Sequence, residues 1–330
     1  MDKKEDIIKQ LILLANDKKA KNDTFRYRAY MKAITALKDY QDKITSSKDL
    51  DKVKGLSKGS IKEKIIEFIE TNSILEVKNI STESNVIQDL LNIYGVGPAR
   101  ANELFSKYNI KSIDDLRNKL RTDASILNDK QKIGLDYYED LLKKIPRKEM
   151  EKHEKYITEF IKDIDKENNL IYQVTGSYRR GATKSGDIDV LCTTKTDNTI
   201  LFNHIIKNLE GEYYIRETLA KGDKKFMGIC KLHRYKTSRR LDMIYTNKVN
   251  YPFALLYFTG SGQFNIEMRN YAISLGYSLS EYGLKKNNKF ITNNGIPFET
   301  EEDIFKFLGL KFIEPEERRG GIIDTLIIKK

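Results

Sequence analysis

The chain has 330 residues and a formal net charge of +11. That length allows two to four compact units, and the excess of positive charge favours a polyanionic partner such as nucleic acid. The sequence has no apolar run of the ~18 residues that a membrane-spanning helix needs, and its two cysteines cannot build a disulfide framework. We therefore expect no membrane association and a reducing intracellular compartment, either nucleus or cytoplasm.

Residues 5–79 are predicted to be helical, because apolar residues recur there at helical spacing. The turn Gly55-Leu56-Ser57-Lys58-Gly59 precedes a predicted helix at 61–69, and the turn Gly95-Val96-Gly97-Pro98 precedes another at 100–105. Glycine-rich turns let backbone N–H groups approach a DNA phosphate. We predict two DNA-contacting hairpins with Gly55, Lys58, Gly95 and Gly97 as contacts, although the first turn alone also fits a plain helix–turn–helix.

Changes of pattern along the chain indicate its domain boundaries. The polar segment 79–85 is predicted to end the first helical domain, and a second helical region continues to about residue 148. A helix at 149–166 then leads into a strand-rich region, and from residue 251 helices and short strands alternate. We predict four domains: 1–79, 80–148, 149–248 and 249–330.

Two carboxylates, Asp187 and Asp189, stand at the start of an apolar run that is typical of a strand. Side chains at positions i and i+2 of a strand share a face, so both carboxylates point the same way. Two like charges that close together repel each other unless a cation lies between them. The small-residue turn at Gly176 and Ser177, upstream, can present N–H groups and a hydroxyl to a phosphate. This pattern suits magnesium and a nucleoside triphosphate.

A third carboxylate is available in the segment Arg239-Arg240-Leu241-Asp242-Met243-Ile244-Tyr245, which alternates as a half-buried strand does. If this strand lies beside the first, Asp242 joins Asp187 and Asp189. Three carboxylates can hold two divalent ions, which activate a 3′-hydroxyl and stabilise the leaving pyrophosphate. The sequence therefore predicts a site for two Mg²⁺ ions, for which Mn²⁺ can substitute.

The run 176–191, then Arg240-Leu241-Asp242, then Tyr257-Phe258-Thr259-Gly260-Ser261, resembles the palm and nucleotide-site motifs of family X DNA polymerases. The resemblance extends from about residue 20 to about residue 318. It implies an α+β chain, in which an N-terminal helical domain with a helix-hairpin-helix precedes a polymerase hand. The hand comprises helical fingers with a second hairpin, a mixed β-sheet palm of the nucleotidyltransferase type, and an α+β thumb.

The resemblance also implies roles for individual residues. Those for the incoming nucleotide are Ser177, Arg180, Ser185 and Gly186 at the triphosphate, Tyr257, Phe258 and Gly260 at the sugar, and Asn265 and Arg269 at the base and template side. Those for DNA are Arg240 beside the primer 3′-end and Lys225 on the backbone. The family likeness further implies a cis peptide between Gly260 and Ser261, and Na⁺ or K⁺ at the two hairpin turns.

The segment Ile61-Lys62-Glu63-Lys64-Ile65 implies a second activity. By resemblance, Lys64 forms a Schiff base with a 5′-deoxyribose phosphate and eliminates it, while Tyr30 and Arg26 assist. Crowding by other lysines, Lys58 and Lys62, is expected to favour the neutral amine that attacks. The chain departs from the family pattern at Phe25, where a phosphate-side histidine is expected. A lysine that only contacts DNA therefore remains an alternative.

The expected function is that of a template-directed DNA polymerase that fills short gaps in repair of the base excision type. It would use dNTPs on gapped or nicked duplex DNA, as a monomer, with a DNA ligase as functional partner. One alternative is a template-independent nucleotidyltransferase like the terminal transferases, which carry a long loop where this chain has the short connection 232–239. Another is an inactive DNA-end-binding protein, against which the three aspartates argue. The tail 320–330 extends past the resemblance, and either an edge strand, a partner-docking segment or a disordered terminus fits it.

Overall fold

The computed structural model describes residues 2–53, 55–56, 58–80, 82–292, 295 and 297–328. Ser57, in the first predicted hairpin, and the last two residues of the tail lie outside this description. Helices and strands are both abundant, so the predicted α+β class is confirmed. The chain divides into two compact units, Met1–Tyr138 and Glu139–Lys330. Among the described residues, no helix combines the length and the apolar character that crossing a membrane requires.

The first unit is helical. Its α-helices are Lys4–Ala20 (α1), Thr24–Asp39 (α2), Ser60–Thr71 (α3), Leu75–Lys78 (α4), Thr82–Leu91 (α5), Pro98–Ser106 (α6), Ile113–Thr122 (α7) and Asp129–Asp136 (α8), and Tyr138–Leu142 (α9) begins at its last residue. Two short 3₁₀ helices lie at Ser47–Lys52 and Ala124–Ile126. The two helices that follow the predicted hairpins, α3 and α6, begin at Ser60 and Pro98, close to the positions that the sequence predicted.

Two buried apolar clusters stabilise this unit. In the first, residues that recur at helical spacing on α1, such as Ile7, Leu11 and Leu14, are fully buried against α2 and α3. The second cluster lies mainly within 86–138. Full burial of each such aliphatic side chain stabilises the fold by about 1.5–3 kcal/mol before entropy is subtracted. The helices of this unit are therefore held by packing of their apolar faces.

The second unit contains three sheets and the remaining helices. Its elements after α9 are Ile145–Pro146 (β1), Arg147–Ile164 (α10), Leu170–Val174 (β2), Gly176–Arg179 (α11), Lys184–Ser185 (β3), Ile188–Thr194 (β4), Ile200–Gly211 (α12), Ile215–Gly222 (β5), Lys225–Cys230 (β6), Arg239–Tyr245 (β7), Tyr251–Thr259 (α13), Gly262–Ser274 (α14), Ser278–Ser280 (β8), Gly283–Lys286 (β9), Lys289–Phe290 (β10), Glu301–Phe307 (α15) and Ile323–Leu326 (α16). Two further 3₁₀ helices are Lys248–Asn250 and Pro315–Glu317.

The main sheet has the strand order β2-β4-β7-β6-β5. Strand β4 pairs with β2 antiparallel and with β7 parallel. In the β4–β7 register, Asp189 is the direct partner of Asp242. Apolar residues of β4, β6 and β7 are buried with those of α10 and α12 on one side of the sheet. This arrangement confirms that the two predicted carboxylate strands are neighbours.

The C-terminal region, from α13 onward, has its own buried cluster. The three-stranded sheet β10-β9-β8 packs with α13, α14 and α15 in this region. The tail packs here as well: Ile323 and Leu326 of α16 are buried, and an isolated bridge pairs Ile327 with Leu310. The described part of the tail is therefore neither a disordered terminus nor a regular edge strand.

Candidate active site

Three carboxylates meet at the interior strands β4 and β7 of the main sheet. Asp187 precedes β4, Asp189 lies in it, and Asp242 lies opposite on β7. One oxygen from each carboxylate can be chosen so that all three lie within 4.8 Å of one another. Arg240, on β7, donates a hydrogen bond to Asp187 Oδ2, and its Nε lies 3.5 Å from Asp242 Oδ1. The structure thus brings the predicted triad together with a single arginine beside it.

Burial and mutual repulsion change the acidity of this cluster. Burial, with added repulsion from Asp187 and Asp242, raises the pKa of Asp189 to about 7. Burial also raises the pKa of Asp242, although the charge of Arg240 opposes the shift. Protonation of Asp189 is therefore linked to the charges of the two neighbouring carboxylates.

The donor set fits a divalent cation. Asp242 Oδ1 is buried and accepts no hydrogen bond from any residue that the structure describes. A buried carboxylate oxygen without a donor is costly unless a cation neutralises it. Carboxylate oxygens are the ligands that Mg²⁺ and Mn²⁺ prefer. Asp187, Asp189 and Asp242 could therefore hold metal.

The predicted phosphate-binding turn lies directly beside the triad. Gly176 adopts φ +63°, and a Cβ at this position would lie 2.6 Å from Asp189 Oδ2, so only glycine fits. The hydroxyl of Ser177 donates to the hydroxyl of Ser185 across 3.2 Å. The turn therefore places the hydroxyls of Ser177 and Ser185 together in a segment that contacts Asp189.

Lys144 is a residue at this turn that the sequence did not reveal. Its Nζ would lie 3.3 Å from a Cβ added at Gly186, so its ammonium group sits against that backbone. An ammonium group at this point can balance the charge of a bound phosphate. One lysine in a chain with 59 lysines and arginines gives no pattern that could have singled it out.

Arg179 and Arg180 connect the turn to the C-terminal region. Arg180 donates to the main-chain oxygen of Thr259, and Arg179 donates to the Thr259 hydroxyl. Arg179 also forms a two-bond ion pair with Glu301, through distances of 3.0 and 2.6 Å. The phosphate-binding turn and the end of α13 are thus held together by two arginines.

A second buried ion pair completes this network. Arg318, which is fully buried, donates to Glu301 Oε1 at 2.5 Å. Burial disfavours ionisation of Glu301, but hydrogen bonds from Arg179 and Arg318 hold the pKa of its carboxyl below the ordinary range. No pattern in the sequence marks Glu301 or Arg318 as part of this site, because both lie more than a hundred residues from Arg179 in the chain.

The predicted sugar and base residues form one continuous surface. The rings of Tyr257 and Phe258 meet edge to face with centroids 5.1 Å apart. Asn265 donates through Nδ2 to the Tyr257 carbonyl at 2.7 Å, and Arg269 Nε donates to the Asn265 carbonyl at 3.2 Å. The Arg269 guanidinium lies 6.0 Å from the Tyr257 ring centroid. These four side chains are therefore grouped as expected.

The turn between α13 and α14 has the predicted geometry. The Gly260–Ser261 peptide is cis, which confirms the prediction. A Cβ at Gly260 would lie 3.2 Å from Arg180 Nη1, so the glycine backbone is in close contact with that guanidinium. Lys225 begins β6, beside β7, and its charge acts on Asp242 in the direction of a lower pKa.

The predicted lyase lysine has a carboxylate partner. Lys64 Nζ lies 2.6 Å from Glu76 Oε2, and Lys18 Nζ lies 2.7 Å from Oε1 of the same carboxylate. Of the two lysines that were expected near Lys64, Lys62 forms an ion pair in which its Nζ lies 2.5 Å from Asp51 Oδ1. Lys58, the other expected neighbour, is exposed.

The two residues expected to assist Lys64 occupy different environments. Tyr30 is buried, and burial together with the Glu76 charge raises the pKa of its hydroxyl to about 12. Arg26 lies near the start of α2, where its Nε is 3.5 Å from Asp23 Oδ2. Glu76 thus acts on Tyr30 as well as on Lys64 and Lys18.

The two hairpin turns each open a helix. Gly55 and Lys58 precede α3, which starts after Gly59. Gly95 adopts φ +82°, and its carbonyl accepts a hydrogen bond from Gln131 Nε2 at 3.0 Å. Gly97 is the residue before α6, and apart from its two chain neighbours no residue that the structure describes comes within 4 Å of a Cβ placed there. An approaching backbone would therefore meet open space at Gly97.

Comparison with known families accounts for most of the chain. Family models match at residues 2–74 ("Helix-hairpin-helix domain"), 88–142 ("Fingers domain of DNA polymerase lambda"), 144–248 ("DNA polymerase beta palm") and 254–319 ("DNA polymerase beta thumb"). The order of these matches confirms the predicted succession of helix-hairpin-helix domain, fingers, palm and thumb. Residues 320–330 lie beyond the last of them.

Individual relatives agree with these matches. DNA polymerase lambda of Rattus norvegicus is 30% identical over 327 residues, which cover 94% of this chain and 56% of that protein. DNA polymerase lambda of Arabidopsis thaliana is 27% identical, covering 92% and 60%. DNA nucleotidylexotransferase of Xenopus laevis is 30% identical, covering 88% and 64%. This chain thus spans somewhat more than half the length of these relatives. The chain belongs to the family X DNA polymerases, close to the beta and lambda members.

Proposed function

We propose that the protein is a template-directed DNA polymerase that adds deoxynucleotides to a primer 3′-end within short gaps, in repair of the base excision type. The observation that supports this best is the grouping of Asp187, Asp189 and Asp242 beside a phosphate-binding turn. The names of the relatives, DNA polymerase lambda from an animal and a plant, support the same activity.

Several residues around the triad bind the triphosphate of the nucleotide. Ser177, Ser185, Gly186 and Arg180 bind the triphosphate through hydroxyl, backbone and guanidinium donors, and Lys144 adds a positive charge. Holding the α-phosphate at a fixed distance from the triad converts a bimolecular reaction into an effectively unimolecular one.

The sugar and the base are selected by the thumb. Tyr257, Phe258 and Gly260 form the wall against which the deoxyribose packs, and this close wall leaves no room for a 2′-hydroxyl. Asn265 and Arg269 contact the incoming base and the template side. Selection thus depends on the position of α13 and α14 relative to the palm strands.

Asp187, Asp189 and Asp242 hold two divalent cations, with Mg²⁺ as the native ion and Mn²⁺ as a substitute. When bound, these cations supply charge stabilisation for the attacking 3′-oxygen and for the leaving pyrophosphate. The Asp242 carboxylate accepts the proton of the primer 3′-hydroxyl. Arg240, beside it, orients the primer end, and Lys225 contacts the DNA backbone.

A second activity is proposed for the first unit. Lys64 attacks the aldehyde of a 5′-deoxyribose phosphate, with Tyr30 and Arg26 assisting. The resulting Schiff base allows elimination of the phosphate ester at C3′. Gly55, Lys58, Gly95 and Gly97 bind DNA backbone through the two hairpins, at which Na⁺ or K⁺ assists.

The proposed organisation has four domains, 1–79, 80–148, 149–248 and 249–330, and each of the four buried clusters lies largely within one of them. The substrates are gapped or nicked duplex DNA and dNTPs. We further propose that the protein acts as an intracellular monomer, with a DNA ligase sealing the product.

One relative supports a different function. DNA nucleotidylexotransferase of Xenopus laevis has the same 30% identity to this chain as rat DNA polymerase lambda, over 88% of the chain instead of 94%. Against template-independent addition stands the short connection between β6, which ends at Cys230, and β7, which begins at Arg239. A connection of this length leaves the template side of the site open.

One assay distinguishes these functions. The full chain is given Mg²⁺ and dNTPs with a one-nucleotide gapped duplex, with a nicked duplex, or with a single-stranded primer. Incorporation of the complementary nucleotide on gapped DNA alone is expected. Addition to the single strand would instead establish a terminal transferase, and DNA binding without incorporation would establish an inactive end-binding protein. A parallel arm with a 5′-deoxyribose phosphate tests the lyase.

A further inference from the structure

The C-terminal segment 321–328 lies beyond the family's thumb match and is nevertheless built into the thumb. Ile323 and Leu326 are buried in the same cluster as Phe264 and Met268 of α14. The backbone is fixed at the C-terminal end of α16, because Lys311 N–H donates to the Leu326 carbonyl at 2.8 Å and Ile328 N–H donates to the Gly309 carbonyl at 2.9 Å. The segment is thus a packed element of the thumb.

One side chain of α14 bonds directly to this segment. Glu267 Oε2 accepts the backbone N–H of Gly321 at 2.7 Å, and Glu267 Oε1 accepts Gln263 Nε2 at 2.9 Å. The Gly321 contact bridges 54 residues of sequence. A charged acceptor makes such a bond stronger than one between neutral groups. Glu267 therefore ties α14 to the point where the C-terminal segment begins.

Glu267 is placed on the face of α14 that is turned away from the nucleotide site. Successive residues of an α-helix turn by about 100°, so Glu267 stands about 200° around the helix from Asn265. Asn265 and Arg269 share the opposite face, where they line a cleft with Tyr257, Phe253 and Leu279. One face of α14 thus meets the base-pair side of the site and the other meets the C-terminal segment.

We propose that the C-terminal segment is a specificity element, which holds α14 through Glu267 and the buried Ile323 and Leu326, and so sets the position of Arg269 against the nascent base pair. Glu267 is a positioning residue that touches neither substrate nor metal. The inference depends on the proposed polymerase function, because Arg269 is given its base-pair contact there.

The test compares correct and mismatched dNTP incorporation by the full chain on one-nucleotide gapped DNA. Glu267→Ala removes both hydrogen bonds, whereas Glu267→Gln keeps an oxygen for Gly321 and an amide for Gln263. Glu302→Ala, an exposed glutamate on α15 of the same thumb, is the matched control. Leu326→Ala removes part of the buried packing between the segment and α14 and leaves the Glu267 side chain in place. Thermal unfolding of each variant shows that it is folded at the assay temperature.

Displacement of a positioning side chain by a fraction of an ångström costs roughly tenfold in rate. We therefore expect Glu267→Ala to lower the ratio of correct to mismatched kcat/KM by about tenfold, mainly through KM for the correct dNTP. Leu326→Ala should act in the same direction, and Glu267→Gln and Glu302→Ala should behave as the parent chain does. In an Arg269→Ala background, Glu267→Ala should change the ratio by less than twofold.

Unchanged discrimination in folded Glu267→Ala and Leu326→Ala would overturn the inference, as would a full tenfold loss that persists in the Arg269→Ala background. If Glu267→Ala does not fold, Leu326→Ala alone tests the inference. The ratio of correct to mismatched kcat/KM is then measured for Leu326→Ala with and without Arg269→Ala. Failure of the parent chain to extend a primer on gapped DNA would overturn the proposed function instead, so the two failures are distinguishable.

Discussion

Asp189 and Asp242 are direct partners across two neighbouring parallel strands, β4 and β7. Partners in a parallel pair project their side chains to the same face, so the strand register alone brings the two carboxylates together. Asp187, two residues before Asp189, joins them by the alternation within the chain. The pairing of β4 with β7 is therefore sufficient to bring the three carboxylates together.

The loss of one member of the triad should remove catalysis and leave binding. Asp242→Ala is expected to reduce nucleotide addition at least ~10³-fold, because removing part of a two-ion clamp costs several kcal/mol of transition-state stabilisation. Affinity for gapped DNA, measured by fluorescence anisotropy, should be nearly unchanged. Asp163→Ala, at an exposed position of α10, is the matched control. Near-normal turnover of Asp242→Ala would remove this residue from the catalytic group.

The raised pKa of Asp189 predicts a pH-dependent stability in the absence of divalent ions. A carboxyl whose folded pKa lies above its unfolded value favours folding at low pH, and this contribution is lost as pH rises from about 4 through about 7. Asp189→Asn should therefore stabilise the metal-free chain by about 1–3 kcal/mol at pH 8 and by much less at pH 5. Thermal unfolding with EDTA at the two pH values measures this difference. An equal effect at both values would contradict the shift.

Lys144 should contribute to nucleotide affinity. Lys144→Ala is expected to raise KM for the dNTP about tenfold with a smaller change in kcat, because a charge-assisted contact to phosphate is worth roughly 1.5 kcal/mol. Lys143→Ala, the neighbouring exposed lysine, is the control and should leave KM unaltered. Steady-state kinetics on gapped DNA gives both values. Equal KM in the two variants would place Lys144 outside the phosphate site.

The lyase and polymerase activities should separate by mutation. Lys64→Ala is expected to abolish borohydride trapping of the chain on a 5′-deoxyribose phosphate end, because a Schiff base needs that amine. Primer extension should persist, since the triad lies in the other unit. The Lys62→Ala variant should still be trapped, because in the parent chain the Lys62 ammonium group is paired with Asp51. Persistent trapping of Lys64→Ala would point to Lys18, which shares the Glu76 carboxylate.

The residues predicted correctly are those whose positions follow from local periodicity. Strand alternation is enough to place Asp187 and Asp189 on one face, and the same alternation in the segment around Asp242 indicates a second strand. Lys144 and Glu301 have no such local signature, because each reaches the site through a contact that is made only when distant elements pack. The structure of the tail does not follow from the sequence for the same reason. The residues that accept its backbone hydrogen bonds, such as Gly309, are not marked by any pattern in the sequence.

Glu301 forms buried ion pairs with both Arg179 and Arg318, and this shared carboxylate limits which substitutions the three positions can accept. Loss of either arginine alone leaves the buried Glu301 carboxylate with one of its two positive partners. This is more destabilising than removal of all three charged side chains. Positions 179, 301 and 318 should therefore change together or not at all among related chains. We expect a substitution of Arg318 to impair the nucleotide site through Glu301 and Arg179, and a second substitution at Glu301 to restore it.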